Sequence, residues 1–348
     1  MERIKTGVIG VGRMGQHHCR VVANQKDAEL VGICDIDAQV AKETSANYDV
    51  PEYKRLDDLL EQVDAAIVAT PTPTHFDITM QCLERNIHVL VEKPVTEKVE
   101  DAEYLASYVQ QNGTILQVGH IERFNPTYVE LKKVLDKMSV IAVNFRRLSP
   151  YRVSNKDVDV VVDLMVHDLD LSNDLTGREP VMINAYGLMP FSNTPDHVVA
   201  QLVYNNGPLI TLTASRVTEQ KIRSVDVTAG DAYIEADFMN KSIFIHRGST
   251  GEYTGKCHNG VSYHQETNIE RILVPNSEPL ALEIRYFLEC ITQHHKPRVS
   301  IWDGLRALRM AQDLSKLVNE HNYHFSRQAQ LMMRETELMH GYSHPSNR

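Results

Sequence analysis

The sequence predicts an α/β domain with a doubly wound parallel sheet (a Rossmann-type fold), followed by an α+β domain with an open, mostly antiparallel sheet. Three observations predict it. Over the first 120 residues, short Val- and Ile-rich runs alternate with helix-length stretches. After residue 120, strand-like runs follow one another instead. A glycine-rich turn joins the first apolar run to the first helix-length stretch. Continuous apolar strands alternating with helices imply a parallel sheet covered on both faces, and right-handed crossovers make it doubly wound.

In order, the first five strands are "TGVIG" (6–10), "ELVGICD" (29–35), "AAIVAT" (65–70), "HVLVEK" (88–93) and "TILQVG" (114–119). The helix-length stretches are 13–24, 37–47, 74–86 and 97–112. The second set of strands is 139–148, 181–189, 197–205, 208–216, 222–230, 232–237 and 241–247, with "NNG" (205–207) as a hairpin turn. Residues 248–270 read as a long polar loop, and helices near 278–293 and 302–320 follow. After 325 a helical stretch runs into a frayed end. The expected domain boundary lies at 120, giving domains 1–120 and 121–348.

Composition narrows the function classes. A chain of 348 residues with 42% hydrophobic and 24% charged content can bury a large core. Its net charge of -10 argues against sequence-independent nucleic-acid binding, which needs a basic surface. The five cysteines are scattered and form no C-x-x-C pair, so neither zinc nor a disulfide framework is expected, and the expected compartment is the cytoplasm. The first residues carry no apolar signal-peptide region, and no run of about 18 apolar residues predicts a membrane span.

"GVIGVGRMGQHH" contains Gly10-x-Gly12-x-x-Gly15 between a strand and a helix, and the second strand ends in Asp35. Gly10 permits the tight turn, Gly12 admits a pyrophosphate to the backbone, and Gly15 lets helix and strand pack. The helix N-terminus favours phosphate. Asp35 can accept from a ribose diol. Asp37 follows it with no Arg in "IDAQ" to welcome a 2′-phosphate, so NAD is favoured over NADP. "ATPTPTH" (69–75) ends the third strand, with Thr74 as the expected N-cap of a helix opened by His75. The residues expected around the cofactor are Gly10, Gly12, Arg13, Met14, Gly15, Asp35, Thr70, Pro71, His75, Glu92 and Lys93.

"VEKPV" (91–95) ends the fourth strand and aims Lys93 at the cofactor crevice, with Pro94 keeping the preceding residues extended. The apolar stretch "DVVVDLMVHDLD" (159–170) raises a sharper question, because it carries four aspartates and a histidine. On an α-helix, Asp163, His167, Asp170 and Asp174 fall within a stripe about 60° wide. A solvated face, an internal salt-bridge row, a carboxylate–His metal site and a carboxylate-polarised general base all fit that stripe. No further ligand cluster accompanies it, so no metal is expected.

"GVIGVGRMGQHH", "ICDID", "IVATPTPTH", "EKPV" and Asp163-x-x-x-His167 occur in the order and spacing of the Gfo/Idh/MocA family of NAD(P)-dependent sugar and cyclitol oxidoreductases. The resemblance covers roughly residues 1–320. It implies a catalytic set of Lys93, Asp163 and His167, with either Lys93 or His167 as the formal base. It also implies a Rossmann domain followed by a substrate-binding and oligomerisation domain. The chain lacks the Gly-Gly-Gly-type stretch of many members. With "VGHIERFNP" (118–126) it is more similar to the branch acting on nucleotide sugars, which implies oxidation at C3 of UDP-N-acetylglucosamine. Arg123, Arg152, Lys221 and Arg223 are candidates for the diphosphate, and Tyr151 for stacking. Substrate contacts are expected from Arg123, Tyr151, Arg152, Asp163 and His167. A free-sugar or inositol dehydrogenase is the enzymatic rival, and a non-catalytic NAD-sensing protein the rival of another class. A homodimer or homotetramer is expected through the open sheet face, where 198–203 and 210–215 should leave apolar side chains.

Overall fold

A computed structural model describes residues 3–151, 158–248 and 267–340. The elements in the first half of the chain are β1 (Ile4–Ile9), α1 (Arg13–Ala23), β2 (Ala28–Cys34), α2 (Ala38–Tyr48), α3 (Leu56–Leu60), β3 (Ala65–Val68), α4 (His75–Leu83), β4 (His88–Glu92), α5 (Val99–Asn112), β5 (Leu116–Gly119) and α6 (Pro126–Leu135). Then come β6 (Val140–Leu148), a π-helical turn (Val161–Met165), α7 (Val166–Thr176), β7 (Met182–Leu188), β8 (His197–Val203), β9 (Leu209–Ser215) and β10 (Ile222–Ala229). The last are β11 (Tyr233–Asp237), β12 (Ser242–Gly248), β13 (Thr267–Ile272), α8 (Pro279–Gln293) and α9 (Ile301–His340).

The first sheet is parallel, in the order β2-β1-β3-β4-β5. Val8, Ile67, Leu90 and Val118 are fully buried, as a sheet covered on both faces requires. The order steps outward from β1 in both directions, so the C-terminal ends of β1 and β3 flank the switch point where ligands bind in such sheets.

The second sheet has eight strands in the order β13-β12-β11-β10-β6-β9-β8-β7, and only the β6–β9 pair is parallel. Its inward face carries Val143, Phe145, Ala200, Leu202, Ile210, Leu212, Val225 and Val227, all buried. The other face runs through registered rows such as Tyr186–Val199–Thr213–Arg146–Ser224. This meets one expectation only in part. The apolar residues of 198–203 and 210–215 alternate: Val198, Ala200, Leu202, Ile210, Leu212 and Ala214 turn inward, and only Val199 and Val203 lie on the open face. The open face is mixed, because the period of two puts Gln201, Thr211 and Thr213 there.

One other reading changes. Thr267–Ile272 pairs antiparallel with β12 as an edge strand, where a loop was expected through 270. The chain folds as two compact units. One unit comprises 1–136, 173–175 and 273–309; the other comprises 137–172, 176–272 and 310–348. α8 packs in the first unit, burying Leu280, Ile284, Phe287 and Leu288 in the core of β1, β2 and α1. Each such side chain contributes about 1.5–3 kcal/mol, enough to fix the helix there. Among the described residues, no helix is long and apolar enough to cross a membrane.

Candidate active site

In the first unit, the three glycines of the β1–α1 turn answer to different constraints. Gly10 has φ +82, and a Cβ there would meet the Thr70 main chain at 2.8 Å. A Cβ on Gly15 would lie 1.9 Å from the Gly10 carbonyl oxygen, so helix and turn close only around a bare Cα. Gly12 differs from both. It is exposed, and nothing in the protein lies within 4 Å of the Cβ position. No packing in the chain demands glycine there, whereas a ligand approaching the backbone would. Gly12 is also the N-cap of α1 and offers no side-chain cap, so the first-turn N–H groups are left for an anion. Arg13 is exposed and Met14 half-buried at the same end. These features fit the pyrophosphate of a dinucleotide.

Asp35 braces this turn. Its Oδ2 accepts from the Val11 N–H at 2.6 Å and its Oδ1 from the Asp37 N–H at 2.8 Å. Each oxygen keeps a further lone pair for a ribose hydroxyl. Asp37 caps α2, accepting from the N–H groups of Gln39 and Val40. Between them Ile36 is 104% exposed, an apolar side chain turned to solvent next to Asp35 in the chain. Sequence reading passed over Ile36, since a single Ile after a strand carries no pattern.

At the end of β3, the Thr74 hydroxyl does not cap α4. It donates to the Pro71 carbonyl or to Thr70 Oγ1, both 2.8 Å away. His75 is 1% exposed, and its two ring nitrogens lie 2.8 Å from the carbonyl oxygens of Pro94 and Thr70. A ring closed on both edges leaves nothing for a cofactor. His75 therefore shapes the site by tying the Thr70–Pro71 turn to the segment after Lys93. Lys93 is half-buried and joined to Pro94 by a cis peptide bond. Glu92 also turns inward rather than to a cofactor, with Oε1 2.7 Å from His18 Nε2. Burial pushes the Glu92 carboxyl up, but the His18 hydrogen bond and the charges of His18 and Lys93 outweigh it and hold the group low.

In the second unit, the charges in 159–170 separate by role. Asp159 accepts from the Val161 N–H at 2.8 Å and from the Ser315 hydroxyl at 2.6 Å, tying the start of the helix to α9. Asp168 is buried against Arg147 of β6, with contacts of 3.0, 3.0 and 2.6 Å. Asp170 is fully buried. Asp163 and His167 are the half-buried pair. The helix is not regular: the Val166 N–H bonds to the Val161 carbonyl, five residues back, in a π turn that contains Asp163. The Asp163–His167 offset is therefore not that of a plain α-helical i, i+4 pair. Such turns concentrate at functional sites.

The expected cationic residues meet mixed fates. Arg123 is 3% exposed, with Asp174 at 2.8 Å and Asp303 at 3.5 Å, while Asp174 also accepts from Tyr128 and pairs with Lys132. Its guanidinium is held inside the first unit, which removes it from the diphosphate set. Arg223 is half-buried and donates to the Leu148 carbonyl at 2.7 Å, and Lys221 is exposed. Tyr151 packs at 5.3 Å on Phe191, itself 62% exposed. Arg152 lies outside the described residues.

Comparison with known proteins bears on these features. The family model described as "Oxidoreductase family, NAD-binding Rossmann fold" matches residues 4–120, and the GFO/IDH/MocA C-terminal domain matches 140–234. A UDP-N-acetylglucosamine 3-dehydrogenase from Acidithiobacillus ferrooxidans is 33% identical over 89% of this chain and 95% of that protein. A solved structure of that enzyme superposes with a TM-score of 0.84 at 32% identity, covering 92% of this chain and 99% of the other. A Bacillus subtilis scyllo-inositol 2-dehydrogenase (NAD(+)) is 26% identical over 87% of this chain and 90% of its own.

Proposed function

The chain belongs to the Gfo/Idh/MocA family of NAD-binding oxidoreductases, and from that premise we propose that it oxidises a secondary alcohol of a UDP-linked amino sugar, C3 of UDP-N-acetylglucosamine. The observation that carries the substrate is the likeness to the Acidithiobacillus enzyme over nearly its whole length. Gly10, Gly12, Gly15 and Asp35 would hold the cofactor, as the open cradle at Gly12 supports. NAD is favoured because Asp35 and Asp37 both oppose a 2′-phosphate. When bound, NAD supplies the hydride acceptor.

The chain's own residues handle the proton and the charge. His167 takes the proton of the substrate hydroxyl, and Asp163 orients the imidazole for it. Lys93, as a cation, stabilises negative charge developing on that oxygen. Lys221, Arg223 and Arg152 are the candidates for the diphosphate, and the Tyr151–Phe191 pair offers an aromatic surface. Binding the remote UDP would orient the sugar for reaction. The test is nicotinamide reduction with UDP-N-acetylglucosamine, free N-acetylglucosamine and myo-inositol side by side. Turnover of the UDP-sugar alone is expected. Efficient oxidation of myo-inositol with no response to a UDP-sugar would instead establish the inositol reading, which the Bacillus likeness favours.

The same reading places the protein in the cytoplasm as a homo-oligomer. Cys19, Cys34, Cys82 and Cys290 are unpaired thiols. Burial pushes Cys19 and Cys82 up to about 12, leaving them inert.

A further inference from the structure

One end of the second sheet carries a buried ion pair that this chemistry leaves unassigned. His197 of β8 pairs with Ser215 of β9, so the next residues out, Asp196 and Arg216, stand opposite each other, and the Arg216 N–H donates to the Asp196 carbonyl at 2.9 Å. Their side chains meet as well. Arg216 Nε lies 2.7 Å from Asp196 Oδ1, and the two residues are 3% and 0% exposed. Asp196 Oδ2 accepts from the N–H groups of Phe191 and Ser192 at 2.9 and 3.1 Å, which ties the β7–β8 loop to the pair. The rest of the guanidinium has other partners. Nη2 donates to the hydroxyls of Ser192 and Thr194, both at 2.9 Å, and Nη1 donates to the main-chain carbonyl of Val158.

Val158 lies just before the π turn, which opens at Val161, and it is gripped together with its neighbours. The Thr194 hydroxyl donates to the same Val158 carbonyl at 3.3 Å, so both lone pairs of that oxygen are taken. The Val160 N–H donates to the Pro195 carbonyl at 3.2 Å. Asp159, between the two held residues, accepts with its own carbonyl from the Asp163 N–H at 3.0 Å. Hydrogen bonds and one peptide unit thus lead without a break from the guanidinium to the main chain of Asp163. The grip matters because a π turn holds one residue more than an α-helical turn. With 158–160 released, a shift of one residue would restore a regular α-helix. At about 100° per residue, that shift would swing the Asp163 side chain off its present face. A buried ion pair adds little net stability, and its best-attested use is to fix a register.

We propose that Arg216, locked by Asp196, is a positioning residue for the Asp163–His167 pair: it holds the main chain of 158–160 in the register that the π turn needs. This rests on the reading of Asp163 and His167 as participants in the chemistry; the hydrogen-bonded path itself does not.

Three variants test it. Arg216→Lys keeps a charge for Asp196 but replaces the planar fork with one ammonium, which cannot reach Asp196, Val158, Ser192 and Thr194 together. Thr194→Val removes one hydroxyl at similar size and leaves the ion pair whole, so it serves where the Lys variant fails to fold. Thr194→Ser keeps the hydroxyl. Arg216→Lys should lose kcat on the order of tenfold to a hundredfold, with KM and NAD affinity little changed. Thr194→Val should lose less, and Thr194→Ser should match the unmodified protein. An unchanged kcat in Arg216→Lys, or in Thr194→Val where the Lys variant does not fold, would overturn the proposal. So would equal losses in Thr194→Val and Thr194→Ser, or a loss carried by KM alone, which would assign the pair to substrate binding. The nitrogen NMR signals of the His167 ring give a readout that needs no turnover. Assigned by their disappearance in His167→Ala, they should move in Arg216→Lys and Thr194→Val and stay in place in Thr194→Ser; signals unmoved in all three would refute positioning. If neither UDP-N-acetylglucosamine nor myo-inositol reduces NAD even with the unmodified protein, the substrate reading fails separately and the His167 signals decide.

Discussion

Gly12 and Gly15 share one motif but do different physical work. Gly15→Ala forces a Cβ onto the Gly10 carbonyl and should destabilise the fold by about 1–3 kcal/mol or more, the scale of forced overpacking. Gly12→Ala meets open space, so it should melt with the unmodified protein and lose NAD affinity. Calorimetric titration and thermal melting of both variants check this; equal NAD affinity in Gly12→Ala would mean that the cradle is not the pyrophosphate site. For the chemistry, Lys93→Ala and His167→Ala should fold, bind NAD and lose at least about two orders of magnitude in kcat, the scale of a positioned acid–base group. Near-normal turnover in either variant would withdraw that residue from the mechanism. The tight packing at Gly10 and Gly15 was legible because it follows from a turn placed between a strand and a helix. The inward turn of His75 and Glu92 was not, because spacing along the chain says nothing about which partner a polar ring or carboxyl will find.

At the scale of elements, the parallel sheet could be read strand by strand because fully buried strands are continuous apolar runs. The helix of Asp163 and His167 was read as plain α, and its π turn was missed because no residue type marks one. The aspartates in that stretch also divided in a way that only tertiary contacts reveal. Asp168 belongs to Arg147, both side chains being 4% exposed, and this pair anchors the helix to β6 beneath the sheet. Removing one partner strands the other charge in the interior. Asp168→Ala should therefore cost about 3–5 kcal/mol in urea unfolding. A loss below about 1 kcal/mol, the range of an exposed pair, would show that the contact does not hold the helix.

At the scale of the whole molecule, the order of the chain concealed which parts fold together, since α8 and the start of α9 join the unit formed by the first 136 residues. The sequence could show that α8 is amphipathic but not which core would receive it. The second sheet raises the question of self-association. Its open face is less apolar than the sequence suggested, with Asn144, Arg146, Thr211 and Thr213 across its middle. Apolar exposure gathers toward the β7 side, where Met182 is 55% and Leu209 44% exposed in one registered row with Val203 between them. A polar field bordering an apolar strip suits an interface between folded subunits, which is seldom apolar throughout. Light scattering at micromolar concentration should give a dimer or tetramer. Leu209→Arg would place a charge in that strip without touching the inward core, so it should shift the population toward monomer while leaving the melting temperature of the isolated subunit unchanged. A monomer from the unmodified protein, or an oligomer indifferent to Leu209→Arg, would move the interface off this row.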